Sequence, residues 1–138
     1  MNKLMLLCAL TVMISSVSSC SRKIVFTKSV VVPSASGRVK IKKGKNGNYE
    51  LSISVRDLTS AKNLVPPQET YVVWSQTKQN GIVNIGQLGT SRSFLARGFK
   101  ASLFTKSPYK PTRIFITGED RPAVTNPGGQ LVLTTEDF

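Results

Sequence analysis

The chain contains no histidine. That absence removes the general base of Ser-His-Asp and Cys-His catalysis, and with it the commonest ligand for zinc, copper and haem iron. Cysteine is almost as scarce, with only Cys8 and Cys20, both near the amino terminus. Acids are few as well, 7 against 19 basic residues. Two carboxylates would suffice for glycoside hydrolysis. Glu119 and Asp120, however, are adjacent, and adjacent residues of a strand point to opposite faces, which suits a loop better than a catalytic dyad or a calcium site. The expectation is therefore a non-enzymatic protein with no cofactor and no metal site. No internal repeat or low-complexity tract appears, and the longest apolar run, Leu4 to Ile14, is about half the roughly 20 residues of a membrane-crossing helix.

What is present at the amino terminus has the layout of a signal peptide. A single cation, Lys3, precedes the apolar run, and small residues from Ser15 to Ser19 follow it. Val17-Ser18-Ser19 before Cys20 resembles the bacterial lipobox, an aliphatic residue and two small ones ahead of the cysteine that is lipidated. The resemblance implies cleavage between Ser19 and Cys20 and two or three acyl chains on Cys20. At about 0.8 kcal/mol per buried methylene, two chains anchor firmly where one binds only marginally. An ordinary secretory signal, cut after Ser16 or Ser19, would instead leave Cys20 as a lone thiol without a disulfide partner, since Cys8 is discarded. Ser21 directly follows the cysteine. The lipoprotein sorting rule places an aspartate there for inner-membrane retention, so its absence favours the outer membrane.

Removing residues 1–19 takes away one cation and no acid, so the formal charge falls only from +12 to +11. The remainder suits one domain with a single core. Such a field favours anionic partners, whether phospholipid or acidic glycan. The densest basic stretch is Arg38, Lys40, Lys42, Lys43 and Lys45, a candidate anionic-surface patch, with Arg22, Lys23 and Lys28 close to the proposed anchor. The competing explanation is protection of an exposed sheet edge, where lysines discourage edge-to-edge aggregation.

Hydropathy patterning points to strands. Tyr49 to Arg56 alternates apolar and polar residues, Arg38 to Lys42 does the same, and Gly44 to Asn48 between them supplies turn residues, so the two should form an antiparallel hairpin. Ile24 to Val32 is expected as the first strand. Leu58 to Glu69, with Pro66-Pro67, reads as a long connection. Thr70 to Gln76, Ile82 to Leu88, Thr112 to Gly118 and Gln130 to Thr135 are further strand candidates. Phe94 to Phe104 is ambiguous, read as a strand or a bent strand pair. Trp74, the only tryptophan, is expected to fill the space between two sheets. The whole predicts an all-β chain: a helical signal peptide over 1–19, a lipidated tether over 20–23, and an antiparallel β-sandwich of about seven or eight strands over 24–138.

Within the sandwich, Tyr71-Val72-Val73-Trp74, Ile85-Gly86-Gln87-Leu88, Ile114 to Asp120 followed by Pro122, and Pro127-Gly128-Gly129 before Leu131-Val132-Leu133 resemble the carboxy-terminal domain of anti-sigma-K factors. That resemblance implies an immunoglobulin-like sandwich outside the cytoplasm. It does not carry over the regulation of transcription, because the family's sigma-binding helical domain and transmembrane helix have no counterpart here.

The expected function is thus an envelope lipoprotein acting as a binding or structural module with a basic surface, held at the membrane by its lipid. The alternative is an accessory or sensory subunit docking an envelope protein around Glu119 to Gly129. Nucleic acid is not expected, since the basic residues are not interleaved with aromatics as in single-strand binders.

Overall fold

The computed structural model describes residues 20–92 and 98–138, so the expected signal peptide over 1–19, with Ser19 of the expected cleavage site, and the Phe94–Arg97 part of the ambiguous segment lie outside the described residues. Among the described residues nine strands occur: β1 (Ser21–Val25), β2 (Ser36–Lys43), β3 (Tyr49–Leu58), β4 (Thr70–Thr77), β5 (Gly81–Gln87), β6 (Gly89–Arg92), β7 (Phe99–Ser107), β8 (Pro111–Glu119) and β9 (Leu131–Thr134). They form a five-stranded sheet, β1-β2-β3-β7-β6, and a four-stranded sheet, β5-β4-β8-β9, with every pairing antiparallel. The chain is an all-β sandwich. No helix among the described residues is long and apolar enough to cross a membrane.

The β2–β3 hairpin forms where alternation predicts it. Its turn closes with the Gly44 N–H donating to the Asn48 carbonyl at 2.7 Å and the Gly47 N–H to the Gly44 carbonyl at 3.1 Å. Val39, Leu51, Ile53 and Val55 are sealed in the core, and the residues between them face outward. From the other sheet, Tyr71, Val73, Ile114, Ile116 and Leu133 close on the same core.

The first strand departs from expectation. Ser21–Val25 pairs with β2, with Lys23 opposite Lys40, so residues 21–23 belong to the sheet and no free tether separates Cys20 from it. Beyond Val25 the chain leaves that sheet. Phe26 bridges Thr135, and the Thr27 N–H donates to the Thr134 carbonyl at 2.8 Å. Residues 27–35 are therefore a crossing rather than the rest of a strand. Within it the Ser29 hydroxyl donates to the Val132 carbonyl and accepts from the Val32 N–H, which ties the crossing down.

A second crossing lies on the opposite side. β5 and β6 are separated by Leu88 alone, yet they belong to different sheets. Gly86 makes the bend possible: its φ is +139°, a conformation side chains rarely adopt, and it lets β5 close on Leu103 of β7. The two sheets are thus laced at both flanks, through β1 to β9 and through β5 to β6. The strand β6 had no sequence signal of its own, because it is the continuation of β5 after this bend.

Trp74 overturns its expected role. It lies on the outer side of the four-stranded sheet, fully buried with Val72, Phe115 and Val124 in a cluster separate from the main core. Its ring stacks on Phe115 at 6.3 Å between centroids. The cover is the loop over residues 120–130. Asn84 donates to the carbonyls of Pro122 and Val124, both at 2.8 Å. The Trp74 indole N–H donates to the Thr117 hydroxyl at 2.8 Å, which donates to Glu119 Oε1 at 2.6 Å. The same carboxylate oxygen accepts the N–H groups of Gly128 and Gly129, each at 3.1 Å. Glu119 is buried and Asp120 exposed. A buried carboxylate needs such donors, because leaving it unpaired would cost several kcal/mol.

Two expectations test these features. A Cβ at Gly129 would run into the Gly118 carbonyl oxygen, so Gly129→Ala should unseat the loop and destabilise the fold by about 3 kcal/mol. Denaturant titration should find a lower midpoint and a red-shifted native emission from the only tryptophan. If both are unchanged, the loop does not cover Trp74. Second, the buried Tyr71 hydroxyl donates to the Thr59 carbonyl at 2.8 Å, and burial pushes its phenol from 10.0 up to about 12. The folded state holds the neutral form, so this stabilisation is complete below pH 10 and is lost as the pH rises from 10 towards 12. Tyr71→Phe should lower stability by about 1 kcal/mol at pH 8 through the lost hydrogen bond and flatten the decline in melting temperature above pH 10.

Candidate functional site

The inward rows of the five-stranded sheet determine what faces out. Ile24, Val39, Ile53 and Leu103 are aligned across four strands and turn toward the core, so their neighbours in sequence form the opposite face. That face carries Lys23 from β1, Arg38, Lys40 and Lys42 from β2, Arg56 from β3, and Lys100 and Lys106 from β7. Among the described residues β3 contributes two acids to this sheet, Asp57, exposed at the bulge beside Arg56, and Glu50, whose carboxylate lies 3.9 Å from the Lys106 ammonium. Both partners are solvated, so the pair contributes about 0.5 kcal/mol or less.

Arg38, Lys40 and Lys42 of the proposed patch share this face and are all exposed. Lys43 does not share it. It falls in the inward-pointing phase just past the end of the core, with its ammonium 6.0 Å from the centre of the Tyr49 ring. Lys45 is exposed in the β2–β3 turn. Arg22, also in the inward phase, stands over the Phe138 ring at 5.5 Å. Of the cations that join the patch from other strands, Lys23 was expected only as a charge beside the anchor, and Arg56, Lys100 and Lys106 were hidden from sequence reasoning because only the strand order brings them alongside β2. Strand phase relative to the buried residues would have found Arg56, which lies in the same alternation as Ser52 and Ser54.

Edge protection does not account for this arrangement. β2 lies between β1 and β3, while β3 and β7 are interior to the sheet. Their outward residues cover a face and guard no edge. Like charges directly opposite, as Lys23 and Lys40 are, weaken a sheet by a few tenths of a kcal/mol.

The face also has relief. At the end away from Cys20 an open concavity of about 660 Å³ is lined by Val25, Arg38, Arg56 and Lys100 around a floor of small residues, Gly37, Ser54 and Ser102 among them. Arg38, Arg56 and Lys100 make no ion pair among the described residues. Cys20 itself is exposed and immediately precedes β1. No group of three or more acidic or cysteine side chains that could hold a metal ion occurs among the described residues.

No family model, curated protein or solved structure matches the chain. The segments whose sequence suggested anti-sigma-K domains fall on β4, on β5 and its bend, on β8, and on the covering loop with β9. They make up the four-stranded sheet and its cover, the half of the sandwich opposite the cationic face.

Proposed function

We propose that the chain is an envelope lipoprotein, acylated on Cys20 and held at the outer membrane, whose folded part is a non-enzymatic binding module for an anionic partner. The observation that carries this reading is the cationic face of the sheet that begins at the first residue after Cys20, where among the described residues seven cations stand against the two acids of β3, Glu50 and Asp57. The position of Cys20 supports the anchor. Cys20 is exposed and forms no disulfide among the described residues, and acylation there would hold the start of β1 and the nearby Lys42 next to the headgroups without an intervening tether. Anionic headgroups then add about 1 kcal/mol for each lysine or arginine close to the surface.

Cys20→Ala should move the protein from the membrane fraction to the soluble one, or leave it as an uncleaved precursor. Fractionation identical to the wild type would sink the anchor. Replacing Lys23, Lys40 and Lys42 together by Gln should weaken binding to phosphatidylglycerol vesicles by roughly 100-fold at low salt, with the difference shrinking as salt is added. An isotherm unaffected by the triple substitution would leave the cationic face without a binding role.

A further inference from the structure

Charge on the five-stranded sheet is not spread evenly, and one part of it is built as a receptor. In the concavity, β2, β3 and β7 bring up two adjacent rows of outward residues. The first row holds Arg38, Ser54 and Ser102, aligned across the three strands. The second holds Ser36 and Arg56, which are paired, with Lys100 next along β7 beyond Ser102. Arg38 and Arg56 are diagonal neighbours, about 7–8 Å apart between Cα atoms. No acid lines the concavity.

The donors here are also uncommitted. The hydroxyls of Ser36, Ser54 and Ser102 and the charged groups of Arg38, Arg56 and Lys100 make no side-chain hydrogen bond or ion pair among the described residues, whereas Lys106 faces Glu50 and Arg113 forms an ion pair with Asp137 at 2.8 Å. Three like charges around a floor of hydroxyls repel one another until an acceptor-rich anion sits between them. Two guanidinium forks favour a group with several oxygens accepting from different directions, as phosphate does, over a carboxylate that one arginine can satisfy.

The space exceeds a bare phosphate, and the surface beside it is of another kind. Phe104, 63% exposed, stands one row below on the same face, two residues along β7 from Ser102. An exposed ring on an otherwise polar face offers the flat apolar surface on which a sugar ring stacks. Val25, 71% exposed, adds an apolar rim on the β1 side. From these placements we infer that the concavity is a binding site for a phosphorylated saccharide, with the phosphate between Arg38, Arg56 and Lys100 and a sugar ring against Phe104.

The source is the aqueous phase and not the anchoring bilayer. Val25 is five residues along β1 from Cys20, about 17 Å at 3.3–3.4 Å per residue. With the chain anchored at Cys20 and β1 directed away from the bilayer, the concavity stands beyond reach of the headgroups around the anchor. This last step rests on the proposed lipid anchor, while the binding chemistry does not.

Calorimetry on the full chain purified in a neutral detergent, at 150 mM salt, tests the site with four probes: inorganic phosphate, trehalose, trehalose 6-phosphate and phosphatidylglycerol vesicles. Trehalose 6-phosphate should bind at least tenfold more tightly than phosphate or trehalose. Arg38→Gln with Arg56→Gln should weaken it at least tenfold. Phe104→Ala should reduce it to the level of inorganic phosphate and leave phosphate binding unchanged. Lys42→Gln with Lys45→Gln should change it less than twofold, because those charges lie beyond the screening length of about 8 Å. All these side chains are exposed, and Trp74 emission verifies that each variant is folded. Equal affinity for trehalose and its phosphate, equal losses from the arginine and lysine pairs, or displacement of the sugar phosphate by vesicles would each overturn the proposal. Those outcomes leave the anchor untouched, since the fractionation of Cys20→Ala decides it separately.

Discussion

The register of the five-stranded sheet governs most of what this molecule presents to its surroundings. Val39, Ile53 and Leu103 lie opposite one another on β2, β3 and β7, with Ile24 continuing the row on β1. Two of them, Val39 and Ile53, are essentially sealed from solvent. A slip of one residue in any pair would expose this row and bury the lysines beside it, and the cost of burying even one unpaired ammonium exceeds any gain from alternative pairing. The apolar row thus fixes the cationic row. The basic face is a consequence of core packing as much as of composition, and its cations are held at strand spacing by the backbone, with Lys106 alone of them paired to an acid among the described residues.

The two sheets solve different problems. The five-stranded sheet has one buried face and one wet face, and its strands read as alternating residues. In the four-stranded sheet β4 and β8 are buried on both sides, first by the main core and then by the 120–130 loop over Trp74. Their sequences carry the signature of that: Tyr71-Val72-Val73-Trp74 and Ile114-Phe115-Ile116 are continuous apolar runs, as strands covered on both faces require. Such a run does not tell which alternate set meets the other sheet. Trp74 was therefore assignable to a buried strand but not to a side of it, and its placement depends on a loop anchored by Glu119 more than forty positions away in sequence.

The covering loop also changes what the acidic residues mean. Glu119 is bound inward by Thr117, Gly128 and Gly129, so it serves as the internal anchor of a loop. The region around Glu119 to Gly129 accordingly has a structural task, while the five-stranded sheet on the other side of the molecule offers uncommitted charge. If Cys20 is acylated, the anchor and the basic sheet form one unit, because the strand that follows the cysteine is an outer strand of that sheet. Association with a membrane and recognition of an anion can then use different ends of the same face.

By itself the sequence determined the class of fold, the β2–β3 hairpin, most strand positions to within a residue or two, and the exposure of Arg38, Lys40 and Lys42. Each of these follows from local alternation and turn chemistry, which act over a few residues. Tertiary structure decided the rest: the early start of β1, the departure of Phe26 toward Thr135, the sheet change at Leu88, the side on which Trp74 lies, and the gathering of Arg56 and Lys100 beside Arg38. These depend on which strands become neighbours. Strand order is set by how two laced sheets close over a common core, a property of contacts between distant residues that no local pattern encodes.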